Sequence, residues 1–361
     1  MKQIIRDALR RLSGKGPRQP ASHYVQAILG GNRMVAADVG GAEGIPGHWR
    51  VFDGSVFFYI FEPHPQSLTR LKANYEAGPH PELYCVLGDA LSGTGGSRTF
   101  YRTNEPTGSS LLAPNKAVIG PYAGDTYFFP CSESKVETRR LEDVLTERGE
   151  PVLDLIKLDI QGAELEVLRG LGERRLGSLL LVEAEVGLHG SYVGQGTFGE
   201  LDALLRDHGM DCYDVRVART YLRRNGRIDG YQSEIFDVFS NSPTISARAW
   251  EFDAVYMRSL NAVLAPRDPA VVRKSIVAYC GYNYFAEGFE LAERAERQRV
   301  FSSIEAQQIR QTIIAWHRDL SRRPYDAPRP FFNWIRGFLA RRHWGQLSRW
   351  SQYLWTEYPN S

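Results

Sequence analysis

The chain has 361 residues, 43% of them hydrophobic and 24% charged, and its formal net charge is +2. This length suits one large domain with extensions or two domains, and the near balance of charge gives no reason to expect a nucleic-acid partner. No apolar run approaches the ~20 residues that span a bilayer, and the first residues lack the apolar core of a signal peptide. We therefore expect a cytoplasmic protein.

Four cysteines occur at wide spacing, namely Cys85, Cys131, Cys212 and Cys280. Because they form no C-x-x-C pair, we expect reduced thiols in the core rather than a disulfide or zinc framework.

The amino-terminal region predicts a helix followed by a linker. Residues 2–12 place aliphatic side chains at helical spacing, with basic residues on the other face. The stretch "SGKGPRQPAS" then interrupts the pattern. We assign residues 1–30 to this basic helix and linker.

From about residue 33 short apolar strands alternate with helical segments. The predicted strands are 34–40, 55–63, 83–91, 153–160 and 178–186, and the predicted helices are 65–77, 138–148, 162–172 and 197–208. This alternation is typical of a mostly parallel sheet with helices on both faces. A hairpin at Asn225-Gly226 and strands near 233–240 and 252–260 close a domain that we place at 31–262.

Residues 263–361 are predicted to form a helical extension rich in Arg and Trp. Its stretch "RPFFNWIRGFLARRHW" has aromatic and aliphatic residues on one helical face and basic residues largely elsewhere. Two interpretations stay open: this face packs on the main domain or a second subunit, or it lies on an anionic membrane surface. The second would place the protein peripherally at the inner face of the membrane.

The first predicted strand ends in "AADVGGAEG", a turn that contains Asp38, Gly40, Gly41, Ala42 and Gly44. Glycine lets a backbone approach a ligand closely and adopts φ values that other residues avoid. Such a turn alone is also typical of an ordinary strand-to-helix connection.

Acids at the ends of the next two strands strengthen the first interpretation. Glu62 ends the second strand, and Asp89, followed by Ala90, ends the third. Each acid alone also suits a helix cap or a solvated strand end. Together they predict one crevice, in which Glu62 would accept hydrogen bonds from ribose hydroxyls and Asp89 from an adenine amine. Acids inside the turn would repel a pyrophosphate but suit the ammonium and sulfonium of S-adenosylmethionine.

The segment "VETRRLEDVLTERGEPVLDLIKLDIQGAELEVLRGL" (136–171) resembles the hallmark segment of the FkbM-type methyltransferases. "TNEPTGSSLL" (103–112) resembles the family's Gly-Ser-Ser loop, and "LLLVEAEV" resembles its fifth strand. The chain differs at Glu142, where Asp is common, and at Gln161, where Glu is common. The resemblance covers roughly 33–260.

This resemblance implies an α/β fold of the Rossmann-like class I methyltransferase type, with a seven-stranded, mostly parallel sheet and helices on both faces, followed here by a helical C-terminal extension. It also implies that S-adenosylmethionine is used to methylate hydroxyl groups, often on sugars or polyketide-like products.

Methyl transfer to oxygen needs an aligned acceptor and a group that takes its proton. The candidates after the fourth and fifth strands are Asp159, Glu164, Glu185 and His189. Asp159 and Glu164 equally suit the start of a helix, and His189 suits a surface loop. These groups could also bind a divalent metal ion, which we do not favour.

The loop 104–112 is the candidate acceptor side, because Asn104, Ser109 and Ser110 can hydrogen-bond a polyol. It equally suits an ordinary polar turn. The leading hypothesis is an O-methyltransferase acting on a sugar, glycan or secondary metabolite. The alternatives are an NAD-dependent oxidoreductase, which predicts a G-x-G-x-x-G turn without an internal acid, and a non-catalytic Rossmann domain with membrane- or partner-binding helices.

Overall fold

The computed structural model describes residues 20–122, 128–221 and 248–321, without the side chains of 217–221. Four predicted features lie outside these residues: the basic helix at 2–12, the Asn225-Gly226 hairpin, the strand near 233–240 and the aromatic, basic stretch at 329–344.

The described strands fall into two sheets. In chain order they are β1 (Val35–Val39), β2 (Phe57–Phe61), β3 (Tyr84–Leu87), β4 (Ala90–Leu91), β5 (Gly96–Thr103), β6 (Pro130–Arg139), β7 (Leu155–Leu158), β8 (Leu181–Gly187), β9 (Met210–Tyr221) and β10 (Arg248–Arg258). The main sheet has seven strands in the order β3-β2-β1-β7-β8-β10-β9. Its first five strands are parallel, and β10 runs antiparallel to both neighbours. The predicted seven-stranded, mostly parallel sheet is confirmed.

The described helices lie between the strands and after the last one. They are α1 (Ala21–Leu29), α2 (Pro65–Glu76), α3 (Lys116–Ile119), α4 (Leu141–Glu147), α5 (Glu164–Gly170), α6 (Glu173–Leu176), α7 (Phe198–Asp207), α8 (Leu260–Leu264), α9 (Pro269–Gly281), α10 (Phe285–Arg297) and α11 (Ser303–Ser321). The helices predicted between the strands agree with α2, α4, α5 and α7 to within a few residues.

Each face of the main sheet is covered by its own apolar cluster, because successive residues of a strand point to opposite faces. Ala36, Phe58 and Leu155 pack with side chains of α1 and α9 to α11. Ala37, Tyr59 and Ile156 pack on the opposite face with side chains of α4, α5 and α7. The helices after residue 262 therefore supply a covering layer of the sheet itself.

The small sheet, ordered β4-β6-β5, is absent from our sequence-based assignment. Only two residues separate the end of β3 from β4, the first strand of the small sheet. Strand β6 occupies the first two residues of the helix predicted at 138–148. The β-branched and aromatic residues of "SRTFYRT" and "KVETR" are the signal that could have revealed it.

Two further sequence expectations concern the cysteines and the membrane. The four thiols are free, but only Cys280 is buried, Cys85 and Cys212 are half-buried, and Cys131 is exposed, so the expected core location holds for one of them. Within the described ranges, every helix is too short or too polar to cross a bilayer.

Candidate functional site

The glycine turn is wedged between the ends of β2 and β7. Gly40 has φ of 88°, and a Cβ placed on it would lie 2.0 Å from the carbonyl oxygen of Asp159. The amides of Gly40 and Gly41 both donate to the Phe61 carbonyl, at 3.1 and 3.2 Å. The glycine at position 40 is therefore required by the close approach of two backbone segments, independently of any ligand.

The rest of the turn packs on α2 and leads into a 3₁₀ helix. Arg70 donates to the Ala42 carbonyl at 2.8 Å, and a Cβ on Gly44 (φ 86°) would lie 2.7 Å from the Tyr75 hydroxyl. The chain then forms a 3₁₀ helix over Gly47–Phe52. An α-helix N-terminus, the usual partner of a pyrophosphate, does not follow this turn.

Asp38 is a buried carboxylate at the turn. It is 1% exposed, and neither of its oxygens has a hydrogen-bond partner among the described residues. A Cβ on Gly41 would lie 2.8 Å from Asp38 Oδ2, so a side chain there would displace the carboxylate. Burial raises the pKa of Asp38 to about 7, although Lys157 acts in the opposite direction.

Lys157 lies beside Asp38 because the two residues are paired in register across β1 and β7. Its Nζ is 3.9 Å from Asp38 Oδ1 and 3.2 Å from Asp159 Oδ2. Burial opposes the charge of Lys157, but the carboxylates of Asp159, Asp38 and Glu183 outweigh it and raise its pKa. The ammonium is thus shared among several acids.

Glu183 is the next residue in this row, paired in register with Lys157. His48 Nε2 lies 2.8 Å from its Oε2, and the Tyr282 hydroxyl donates to the same oxygen. Trp49 Nε1 in turn donates to Tyr282. Burial favours the neutral acid, but these bonds prevail and lower the pKa of Glu183.

His48 and Tyr282 were not among the site residues expected from the sequence. Tyr282 directly follows α9, far along the chain from Glu183, and only packing of α9 on the sheet brings them together. The available signal was Glu183 itself, because an acid within a buried strand requires a partner.

The other two strand-end acids lie beside the turn. Glu62 is 5% exposed, its amide donates to the Leu87 carbonyl at 2.9 Å, and its Oε1 accepts from the His64 amide at 2.7 Å. Burial raises the pKa of Glu62. Asp89 lies just before β4, with Oδ1 3.4 Å from Arg139 Nη1. The structure therefore places the predicted cofactor residues at the adjacent ends of β1, β2 and β3.

Gln161 connects the two strongest candidates for the proton acceptor. Its φ of 57° is unusual for a residue other than glycine, and such strain is common at functional sites. Its Nε2 donates to Glu185 Oε2 at 2.5 Å and to Asp159 Oδ1 at 3.3 Å. The Tyr192 hydroxyl, which donates to the Gly108 carbonyl at 2.8 Å, lies 3.2 Å from Gln161 Oε1. Asp159 and Glu185 therefore share one amide donor.

Glu164 has a different environment. It is 4% exposed, and its carboxylate accepts from the amides of Ile160 and Gly162, both at 2.9 Å. Burial raises the pKa of Glu164 to about 7. These contacts suit a residue that holds the β7–α5 loop, and hence Gln161, in place.

The predicted acceptor loop rests on the same segment. Ser110 is 2% exposed, donates to the Gln161 carbonyl at 2.6 Å and accepts from the Leu112 amide at 3.0 Å. Ser109 Oγ accepts from the Thr103 amide at 3.2 Å, whereas Asn104 is exposed. The two serine hydroxyls are thus engaged within the protein, and Asn104 is the most accessible of the three.

His189 follows β8 and contacts residues at the start of β10. Its Nδ1 is 3.2 Å from Arg248 Nη2, and its ring centroid is 5.0 Å from that of Trp250. Burial, together with the Arg248 guanidinium, lowers its pKa. Within the described ranges, no group of three or more His, Cys, Asp or Glu residues is arranged to hold a metal ion.

Comparison with known proteins identifies the family of the part of the chain that carries most of this site. Residues 39–212 match the family model of the methyltransferase FkbM domain. These residues are a methyltransferase FkbM domain. The resemblance seen in the sequence is therefore confirmed. The FkbM domain begins at the last residue of β1 and ends in β9, so it includes Glu62, Asp89, Gln161 and Glu185.

Two curated relatives match part of the chain at moderate identity. The 31-O-demethyl-FK506 methyltransferase FkbM of Streptomyces tacrolimicus is 37% identical over 174 residues, which are 43% of this chain and 64% of that protein. The 2-O-methyltransferase NoeI of Sinorhizobium fredii (strain NBRC 101917 / NGR234) is 31% identical over 143 residues, 38% and 56% of the two chains. The chain thus spans less than two thirds of the length of each.

A solved methyltransferase FkbM from Methylobacillus flagellatus KT is 14% identical, with a TM-score of 0.34, over 66% of this chain and 48% of that one.

Proposed function

We propose that this protein uses S-adenosylmethionine to methylate a hydroxyl oxygen of a small molecule or glycan. The observation that carries the proposal is Asp38, a buried carboxylate without a hydrogen-bond partner in the described structure, which lies at the glycine turn and one residue before the FkbM match begins. The names of NoeI and FkbM, which specify a 2-O-methyltransferase and an O-demethyl substrate, support oxygen as the acceptor atom.

The residues present fit this cofactor. A buried carboxylate is costly without a partner, and the ammonium of the cofactor's methionine part is a suitable one. Glu62 Oε2 accepts no hydrogen bond within the described part of the chain, so it is available to ribose hydroxyls. Asp89 would accept from the adenine amine while Arg139 orients it. When bound, the cofactor supplies a methyl group activated by a sulfonium.

The same turn disfavours the oxidoreductase alternative. A pyrophosphate is usually bound at the N-terminus of an α-helix that follows the glycine turn. Here a 3₁₀ helix follows, Asp38 lies against Gly41, and Glu43 is within the turn. Each of the two acids would repel a phosphate.

The acceptor proton would pass to the carboxylates joined by Gln161. Asp159 is 40% exposed and contacts Lys157, whereas Glu185 is 7% exposed. By donating to both, Gln161 holds the two carboxylates at the carboxyl ends of β7 and β8. We assign proton acceptance to this pair and a positioning role to Gln161 and Glu164.

Calorimetric titration of the purified chain with S-adenosylhomocysteine, with NAD as the control, tests the proposal. We expect binding of S-adenosylhomocysteine and none of NAD. The reverse result would favour the oxidoreductase, and binding of neither would favour a non-catalytic domain. Methyl transfer to a panel of hydroxyl-bearing acceptors then tests the choice of oxygen.

We also propose a cytoplasmic location. The aromatic and basic pattern of residues 329–344 suits either packing on protein or contact with anionic lipid. Flotation with anionic and neutral vesicles separates these, since lipid contact predicts binding to the anionic vesicles alone.

A further inference from the structure

An open groove of about 490 Å³ lies outside the proposed cofactor crevice. Its lining includes Val118, Tyr122, Leu188, His189, Thr197 and Arg248, which come from α3 and the residues after it, from the β8–α7 connection and from the start of β10. Nothing in the proposed cofactor site or carboxylate pair uses these residues.

The groove carries positive charge. Arg248 is exposed, and its described contacts are a hydrogen bond of 2.9 Å to the Tyr122 hydroxyl and the 3.2 Å approach to His189. No carboxylate among the described residues forms an ion pair with it. A guanidinium has five N–H donors in a planar fork, so donors are left for a ligand.

None of the described lining residues is acidic. Glu200 touches the lining residue Thr197, but its carboxylate caps α7 by accepting from the Thr197 amide at 2.8 Å and hydroxyl at 2.9 Å. An anionic group in the groove would therefore meet Arg248 without a competing acid among the described lining residues.

The pKa of His189 depends on the charge of the neighbouring Arg248 guanidinium. Arginine is always a donor, so His189 Nδ1 accepts from it, which requires that nitrogen to be unprotonated. Among the described residues, the other groups that face the imidazole are the Trp250 ring and the Ala249 carbonyl, which are uncharged. An anion bound at Arg248 would offset the guanidinium charge and raise the His189 pKa.

The remaining lining suits a carbon skeleton. Leu188 is 38% exposed, and the Tyr122 ring lies 4.8 Å from Trp250, which holds it in place. Val118 adds a second aliphatic surface. The groove thus combines an anion-binding end with an apolar wall that a sugar or aliphatic chain can contact.

Continuity of the chain places the groove next to the carboxylate pair. Leu188 and His189 directly follow β8, which carries Glu185, and the Tyr192 hydroxyl in the same connection lies 3.2 Å from Gln161 Oε1. An acceptor with its anionic group at Arg248 would therefore extend toward the reacting centre.

We propose that this groove binds the anionic group, phosphate or carboxylate, of the methyl acceptor, with Arg248 as its main contact. The anion site follows from the groove itself, and its assignment to the acceptor rests on the proposed function.

The test is NMR on the full chain labelled at the histidine ring carbons, with the His189 signal assigned by its loss in His189→Gln. The His189 titration is followed with inorganic phosphate and, separately, acetate, at constant ionic strength set by chloride. We expect one of these anions to raise the His189 pKa. A response to phosphate alone indicates a phosphorylated acceptor, and a response to acetate alone a carboxylate.

Two variants and a control locate the effect. In Arg248→Gln we expect the anion affinity to fall about tenfold or more, as for loss of a charge-assisted hydrogen bond. Arg248→Lys should keep the response because it keeps the charge, and the exposed Arg297→Gln should behave as the unaltered protein.

Absence of any His189 response to either anion would overturn the proposal, as would an unchanged response in Arg248→Gln. Titration of the same samples with S-adenosylhomocysteine separates the two proposals. Cofactor binding without an anion response would overturn only the groove proposal. An anion response without cofactor binding would keep the anion site but overturn the proposed methyl transfer, and with it the assignment of the groove to the methyl acceptor.

Discussion

Asp38 and Lys157 are paired in register on neighbouring parallel strands, with Lys157 Nζ 3.9 Å from Asp38 Oδ1. That separation is too long for a hydrogen bond, and Lys157 is closer to Asp159, at 3.2 Å. The ammonium therefore offsets the Asp38 charge without satisfying its oxygens. This incomplete pairing leaves Asp38 suited to a cationic ligand.

Asp38→Asn should weaken binding of S-adenosylhomocysteine by roughly 1–3 kcal/mol, the range for hydrogen bonds to charged groups. Calorimetry of the variant measures this, with the exposed Asp207→Asn as a matched control. Because the pKa of Asp38 is about 7, binding below pH 7 should also release a proton, which buffers of different ionisation enthalpy detect. Equal affinity in the two variants would remove Asp38 from the cofactor site.

The free energy of unfolding should fall as pH rises from about 5 to about 8. Asp38 and Glu164 have pKa values of about 7 when folded, above their ordinary values of 3.8 and 4.5. An acid whose pKa is higher in the folded state stays protonated to a higher pH when folded than when unfolded. The stabilisation of the folded state that this proton binding provides is lost as pH rises from the unfolded-state pKa to the folded-state pKa. Urea unfolding of the ligand-free protein at both pH values measures the effect. Asp38→Asn should show a smaller fall, and an identical fall would contradict the assignment.

Glu62→Ala should weaken cofactor binding by roughly 1–3 kcal/mol through loss of charge-assisted hydrogen bonds. The exposed Glu82→Ala is the control. The measurement is again calorimetric titration with S-adenosylhomocysteine. If Glu62→Ala binds as tightly as the control, the ribose assignment is wrong.

Gln161→Ala should lower turnover about tenfold or more while leaving cofactor affinity unchanged, because the carboxylate pair loses its shared donor. Turnover and S-adenosylhomocysteine affinity are measured on the same preparation, with the exposed Gln298→Ala as control. Asp159→Asn and Glu185→Gln, compared over pH, identify which carboxylate takes the proton. A Gln161→Ala variant with normal turnover would end the positioning role.

Tyr282→Phe should reduce the free energy of unfolding by about 1–3 kcal/mol, because a buried carboxylate, Glu183, loses a donor. Tyr284→Phe, which removes a longer bond of 3.2 Å to the Tyr213 carbonyl, is the control. Urea unfolding monitors both variants. Equal stability would mean that His48 and Lys157 satisfy Glu183 without the tyrosine.

Several features followed from local sequence patterns alone. Strands β1, β2, β7 and β8, the glycine turn, and the positions of Glu62 and Asp89 at strand ends all have signals within a few residues. Apolar periodicity reports which face of an element is buried, and parallel strands bring their carboxyl ends to one edge. The resemblance of 136–171 to the FkbM family then implied a Rossmann-like fold with a seven-stranded, mostly parallel sheet.

Other features depend on contacts between residues far apart in the chain. Tyr282 reaches Glu183 only because α9 packs on the sheet, and His189 faces Arg248 rather than Glu185 because the β8–α7 connection turns toward β10. Position 40 must be glycine because the Asp159 carbonyl approaches it too closely for a side chain. The sequence of the turn alone does not reveal this contact. Local periodicity determines which elements form and which face they bury. Distances across the sheet arise only when long-range packing sets the elements against each other, so the site's hydrogen bonds were decided by the tertiary structure.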